Sequence, residues 1–289
     1  MRQVPDENQG FIECWNEVLT PKWMRFRHLL AGNGAIHSSL AYPTFAIRAG
    51  DRVLDIGCGC GETCLEIGRR VGPAGEVLGL DCTETFLKVA EAERAQAGQE
   101  NVRYLLGDAQ VCDLAPGHFD VAFSRFGVMF FQSVVRALRN AHRALKPGGK
   151  VCLIVWRTLR DNPCWGAAKE IALRHLPPPG DEAKTCGPGP FSMADENSDR
   201  EMLTAAGFID ARFRRIDADI CIGRDVAEAI DFQILVGPSG EIIREAGEQG
   251  ERRLPEIRRD LEAMLRAHLR PDGVWMPSST WAITAVKPV

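Results

Sequence analysis

Short apolar runs alternate with amphipathic segments through the first half of the chain. Asp51 to Ile56 is a compact apolar run, and Glu62 to Val71 follows it with helical spacing. Glu76 to Leu80 reads as a second strand after the Gly72-Pro73 break, and Glu84 to Ala97 as a second helix. Asn101 to Leu106 and Phe119 to Ser124 are the third and fourth predicted strands. Ser133 to Leu145 places Val134, Val135, Leu138, Ala141 and Leu145 on one helical face, and Lys146-Pro147-Gly148-Gly149 supplies a cation, a breaker and two glycines to stop it. Val151 to Trp156 is the fifth strand. Strands this apolar, alternating with helices, predict an α/β protein with a parallel sheet covered on both faces, the doubly wound class.

Beyond residue 160 the pattern loosens. Pro177-Pro178-Pro179-Gly180 and Cys186-Gly187-Pro188-Gly189-Pro190 bracket a loop. A helix around Ser198 to Ala206 ends at Gly207, and strands are expected from Ile209 to Ile216 and from Ser279 to Val286. Between those strands the clearest helical signal runs from Pro255 to Leu269, where Ile257, Leu261, Met264 and Leu265 share a face. Such a stripe needs something to cover.

Composition narrows the class of protein. Apolar residues make up 45% of the chain, charged residues 26%, and the net charge is −4 with acids and bases interspersed, so neither disorder nor a polyanion-binding surface is indicated. The first residues carry no apolar signal core, and no apolar run reaches the ~20 residues that span a bilayer. A cytoplasmic protein that binds no nucleic acid is the expectation. The ten cysteines are scattered through expected strands and helices, so most should be reduced and buried.

The stretch Val53-Leu54-Asp55-Ile56-Gly57-Cys58-Gly59-Cys60-Gly61 joins the first strand to the first helix. Such a turn lets backbone pass close to a ligand at the carboxyl edge of an open sheet. Its third glycine comes one residue too early for the dinucleotide fingerprint, and Glu62 at the helix start repels a diphosphate. Asp81, closing the second strand, could accept both hydroxyls of a ribose, a feature common to dinucleotide and adenosyl sites. Cys58, Cys60, Cys64 and Cys82 lack the pair spacing of a zinc site, so no metal is expected. A helix start lowers a nearby thiol pKa, which marks Cys60 and Cys64 as oxidation-sensitive candidates.

Together these residues resemble the class I S-adenosylmethionine-dependent methyltransferases. The glycine turn is similar to their first motif, Leu78-Gly79-Leu80-Asp81 to their ribose-binding acid, and Gly107-Asp108-Ala109 to their adenine-contact turn. Phe119-Asp120-Val121-Ala122-Phe123-Ser124 and Leu145-Lys146-Pro147-Gly148-Gly149 match the motifs of strands four and five. Within the family the chain looks most like the small-molecule branch typified by ubiquinone and menaquinone biosynthesis enzymes. The resemblance implies a seven-stranded, mostly parallel Rossmann-like sheet with an antiparallel last strand. It implies an N-terminal helical cap at 1–46, a core at 47–221, a helical lid at 222–274 and a last core strand at 275–289.

For the cofactor S-adenosyl-L-methionine, the resemblance implies contacts from Asp55, Gly57, Cys58, Gly59 and Gly61 at the methionine end, and from Asp81 at the ribose. Cys82, Asp108 and Ala109 would meet the adenine, and the Ser124 backbone would lie beneath the sulfonium. Cys60 stands where many members carry threonine or serine. The methyl acceptor, a small molecule, would lie over strands four and five against Arg125, Phe126, Met129, Trp156, Arg157 and Phe191. His28, His37, Tyr42 and Arg125 are the candidates for catalysis, although an ionised acceptor needs no base at all. A nicotinamide-dependent oxidoreductase and a non-catalytic adenosyl-binding module are the alternatives.

Overall fold

The computed structural model describes residues 8–180 and 187–289. Its centre is a twisted sheet whose first five strands are β1 (Arg52–Ile56), β2 (Glu76–Asp81), β3 (Val102–Leu106), β4 (Phe119–Arg125) and β5 (Leu145–Trp156). All five run parallel. Side chains alternate between two cores as the pleat requires. Leu54, Ile56, Ala122, Leu153 and Val155 enter one cluster. Val53, Val121, Phe123, Cys152 and Ile154 enter the other.

The N-terminal segment comprises α1 (Gln9–Cys14), a π-helical turn (Trp15–Leu19), α2 (Thr20–Arg25) and α3 (Arg27–Phe45). Ala41, Tyr42 and Phe45 of α3 pack into the second cluster. Helix α4 (Glu62–Val71) buries Cys64, Leu65, Ile67 and Val71 against the same side, while Arg69 and Arg70 reach solvent. Helix α5 (Glu84–Ala97) covers β2 and β3, and α6 (Val134–Ala144) begins at Ser133, whose hydroxyl caps the Arg136 amide.

Several boundaries differ from the sequence reading: the strand expected from Ile209 to Ile216 runs on to Gly223, and the one expected from Ser279 begins at Gly273. Leu145-Lys146-Pro147-Gly148-Gly149 does not merely stop α6 but already belongs to β5, with a register shift that lets Leu145 pair Phe119 before Lys150 pairs Val121. The long helix expected from Pro255 begins seven residues earlier. Pro255 lies inside it, because an exposed helical turn tolerates the missing hydrogen bond better than a buried one.

The second half completes the sheet from its far edge. After α7 (Pro163–His175) and α8 (Glu196–Ala205) come β6 (Ile209–Gly223), α9 (Val226–Leu235), α10 (Gly237–Glu245), α11 (Glu248–Arg266), the short β7 (Leu269–Arg270) and β8 (Gly273–Val286). The strand order is β3-β2-β1-β4-β5-β8-β6, with β7 paired to β8 alone. The long strand β8 runs antiparallel to both neighbours. Buried Asn162 fastens β8 at mid-length, donating to the Ser279 carbonyl at 3.0 Å and accepting the Ser279 amide at 2.8 Å.

Among the described residues eight cysteines are free, and Cys14 is disulfide-bonded, so the expectation of reduced thiols fails at that position. Cys186 lies outside the described residues. No helix among them is long and apolar enough to cross a membrane, and no three His, Cys, Asp or Glu side chains gather as metal ligands.

Candidate active site

The turn after β1 is held open by backbone geometry. Gly57, Gly59 and Gly61 all have positive φ, and a Cβ on Gly57 would stand 2.9 Å from the Gly127 backbone. The amides of Gly57 and Cys58 donate to the Leu80 carbonyl at 2.8 and 3.2 Å, tying the turn to β2. The Asp81 carboxylate accepts the Gly59 amide on one oxygen at 2.8 Å and the Thr83 amide on the other at 2.9 Å. Each oxygen retains a lone pair, which suits the two hydroxyls of a ribose. Burial pushes the Asp81 carboxyl above its ordinary pKa, against the pull of those amides.

Asp55 lies fully buried beneath the turn. It accepts the Thr63 hydroxyl and, at 3.2 Å, the Cys64 thiol, so it braces the start of α4. Desolvation pushes it up to about 6. The same environment raises the thiols: Cys60 goes to about 12 and Cys64 well above its ordinary value. Desolvation here outweighs the helix-start effect and disfavours the thiolate form. The Cys60 sulfur instead packs 3.8 Å from that of Met24.

A cavity opens above this turn, roofed by the N-terminal helices. Gly57, Cys58, Gly59, Asp81, Cys82, Asp108, Ala109, Arg125 and Phe126 line it. Three other expected contact residues stand back from it. Asp55 is below the turn; Gly61 faces Tyr104, whose hydroxyl would be 2.3 Å from an added Cβ; and the Ser124 hydroxyl turns to the Ile56 carbonyl at 2.6 Å. The roof adds residues that no motif marked, among them Trp15, Trp23, Met24 and Arg27. Their only sequence signal is the aromatic richness of a segment expected to form a cap. Arg27 reaches Glu62 at 2.7 Å and Glu93 at 2.6 Å, joining cap to core.

A second cavity, of about 360 Å³, adjoins the first. The two share Trp23, Leu30, Phe126 and Phe130 as a common wall. Phe126 has a left-handed backbone, φ 58°, and stacks on Trp156 with centroids 4.4 Å apart and planes within 11°. Trp156 and Phe191 line this cavity as the sequence suggests. Met129 does not: it is core. Arg157 turns away to Asp161 at 3.1 Å and lies over the Trp281 ring. Arg125 borders the first cavity, not the second; its guanidinium lies under α3, where a Cβ on Gly34 would touch it, and donates to the Ser38 hydroxyl at 3.0 Å.

The candidate bases are also placed elsewhere. His28 is exposed and pairs with Glu228 at 3.1 Å. His37 is buried with both ring nitrogens engaged, by Ser278 at 3.0 Å and Thr280 at 3.2 Å, and burial lowers its pKa to about 4. Tyr42 donates to Glu66 at 2.8 Å, and burial raises its pKa. None of the three lines either cavity.

An acid closing β2 beside a glycine turn, at the carboxyl edge of a mostly parallel sheet, is an arrangement suited to a nucleoside. Residues 53–149 match the family model described as a methyltransferase domain. Over 108 residues it is 37% identical to a demethylmenaquinone methyltransferase of Staphylococcus aureus, covering 37% of this chain and 44% of that one. The Lactococcus lactis enzyme of the same name is 34% identical over 102 residues, 35% of this chain and 40% of its own. The chain thus spans less than half the length of these curated relatives. Its fold is similar to a Haemonchus contortus phosphoethanolamine N-methyltransferase (TM-score 0.61, 18% identity, 96% of this chain and 61% of the other). It is also similar to the YcgJ protein of Bacillus subtilis (TM-score 0.56, 20% identity, 88% of this chain and 99% of the other).

Proposed function

We propose that this chain transfers the methyl group of S-adenosylmethionine to a small organic acceptor. The observation that carries the reading is the pair of adjoining cavities with one aromatic wall between them. The first offers what an uncharged adenosyl group needs, a carboxylate with two free lone pairs and an apolar roof; the second is of ligand size. The cofactor supplies an electrophilic methyl carbon on a sulfonium. This chain's part is to hold Asp81 toward the ribose, to exclude water with Trp15, Trp23 and Phe130, and to bring the acceptor in line.

With His28, His37 and Tyr42 away from both cavities, the acceptor atom must arrive as a competent nucleophile, or lose its proton to water or to a group not among those three. The nicotinamide alternative is disfavoured because Gly61 is packed against Tyr104 and the Arg27–Glu62 pair occupies the helix start. Calorimetry decides between them. S-adenosylhomocysteine should bind with 1:1 stoichiometry, and NADH should give no heat; the opposite pattern refutes the proposal. Methyl transfer from labelled cofactor into a metabolite extract separates an enzyme from a binding module.

A further inference from the structure

The second cavity is apolar on most of its surface, with the stacked Phe126–Trp156 pair and Trp165 in edge contact with Trp156 at 6.1 Å. Its polar lining is unequal in charge. Asn33 is consumed by the backbone of Cys221, accepting its amide at 3.0 Å and donating to its carbonyl at 2.8 Å. Glu241 is neutralised by Arg244 at 2.6 Å. Lys22, from α2, and Lys169, from α7, also line the cavity, and among the described residues neither ammonium has a hydrogen-bond or ion-pair partner. The two lysines enter from opposite halves of the chain.

An ammonium beside apolar walls is costly unless something of opposite charge joins it. Burial already lowers the pKa of Lys22, with Glu241 only partly offsetting the effect. From the two unpartnered lysines on an otherwise aromatic cavity, we infer that the methyl acceptor is a flat apolar acid, its carboxylate held by Lys22 and Lys169 and its ring system lying along Phe126 and Trp156. This rests on the methyl-transfer reading for the identity of the cavity, and it gives the two lysines, not Arg125 or Arg157, the contact with the acid. Both arginines are committed to partners of their own. A cavity of about 360 Å³ admits two or three fused rings.

The test uses 2-naphthoate and its neutral isostere 2-naphthamide, titrated calorimetrically into the full chain, free and saturated with S-adenosylhomocysteine. The acid should bind at least 10-fold more tightly than the amide. In the variant carrying Lys22→Gln and Lys169→Gln together, that preference should vanish while affinity for the amide and for S-adenosylhomocysteine stays unchanged. Retained affinity for these two ligands shows that the variant is folded. Equal binding of the two probes to the unaltered chain, no binding of either, or a preference that survives the double substitution overturns the inference. Because naphthoate preference is also read in the free chain, failure to bind S-adenosylhomocysteine counts against methyl transfer alone.

Discussion

Asp81 holds the turn together from inside the first cavity. Its carboxylate fixes the Gly59 and Thr83 amides and keeps a free lone pair on each oxygen. Asp81→Asn preserves the shape but replaces one acceptor with an N–H that faces an amide. S-adenosylhomocysteine affinity should fall about 10- to 100-fold, equivalent to roughly 1.5–3 kcal/mol, as read by calorimetry; unchanged affinity would remove Asp81 from the site. Asp199 of α8 is the reverse case, a carboxylate with both oxygens buried and without partners, raised by desolvation to about 7. The folded chain holds that proton more tightly than the unfolded chain, so stability is fully present below about pH 4 and declines as pH rises through 7. Asp199→Asn should therefore stabilise the protein at pH 8, on the order of 1–2 kcal/mol after allowing for solvent screening, and have little effect at pH 4. Melting curves at the two pH values check it. Asp81 was legible in the sequence because it falls at a fixed distance from a glycine turn. Lys22 and Lys169 were not, since a lysine on a helix reads as solvated until the opposite wall of its cavity is known.

At the scale of elements, legibility follows packing. From β1 to β4 the predicted strands and helices agree with the structure to within a residue or so, because β1, β2 and β4 are largely buried and glycine and proline breaks mark the ends of the elements. Helix α9 gave no such stripe: Ala229, Ile230, Phe232, Gln233 and Ile234 are all buried, so the helix is enclosed nearly all round and its periodicity is lost. Strand β6 is predicted at about half its length because Asp217 and Asp219 break its pattern just past Ile216, on a sheet edge. The cap is legible as a segment, yet the polar contacts that join it to the core, beside its buried apolar residues, link residues distant in sequence, which no local pattern encodes. Chief among them is Arg27, clamped between Glu62 and Glu93. Arg27→Gln should loosen the roof over the first cavity. Half-buried pairs of this kind contribute roughly 1 kcal/mol each, so S-adenosylhomocysteine should dissociate up to about 10-fold faster. Stopped-flow release, together with faster proteolysis of the first 45 residues, provides the readout; an unaltered release rate shows that the roof does not depend on this clamp.

Across the whole molecule, the cap and the late helices share one core with the sheet. Phe26 and Leu29 of the cap, Leu153 and Val155 of β5, Trp165 of α7, Phe232 of α9 and Leu261 of α11 belong to a single buried cluster. The segments expected as cap (1–46) and lid (222–274) therefore have no separate cores. Heating should give one cooperative transition with equal calorimetric and van't Hoff enthalpies, and two resolved transitions would show the lid unfolding independently. S-adenosylhomocysteine at 100 times its Kd should move that single transition upward by about 2.7 kcal/mol, roughly 5 °C. Strand β8 gives this unity an order in time. It lies between β5 and β6, receives Asn162 and His37 from distant elements, and is synthesised after every strand and helix that it joins. A nascent chain halted before residue 273 exposes the facing edges of β5 and β6 with no strand to fill the gap. Such a chain should be held by chaperones or aggregate on the ribosome, and release of the last strand, rather than completion of the nucleoside-binding half, should be the event that commits the protein to its native state.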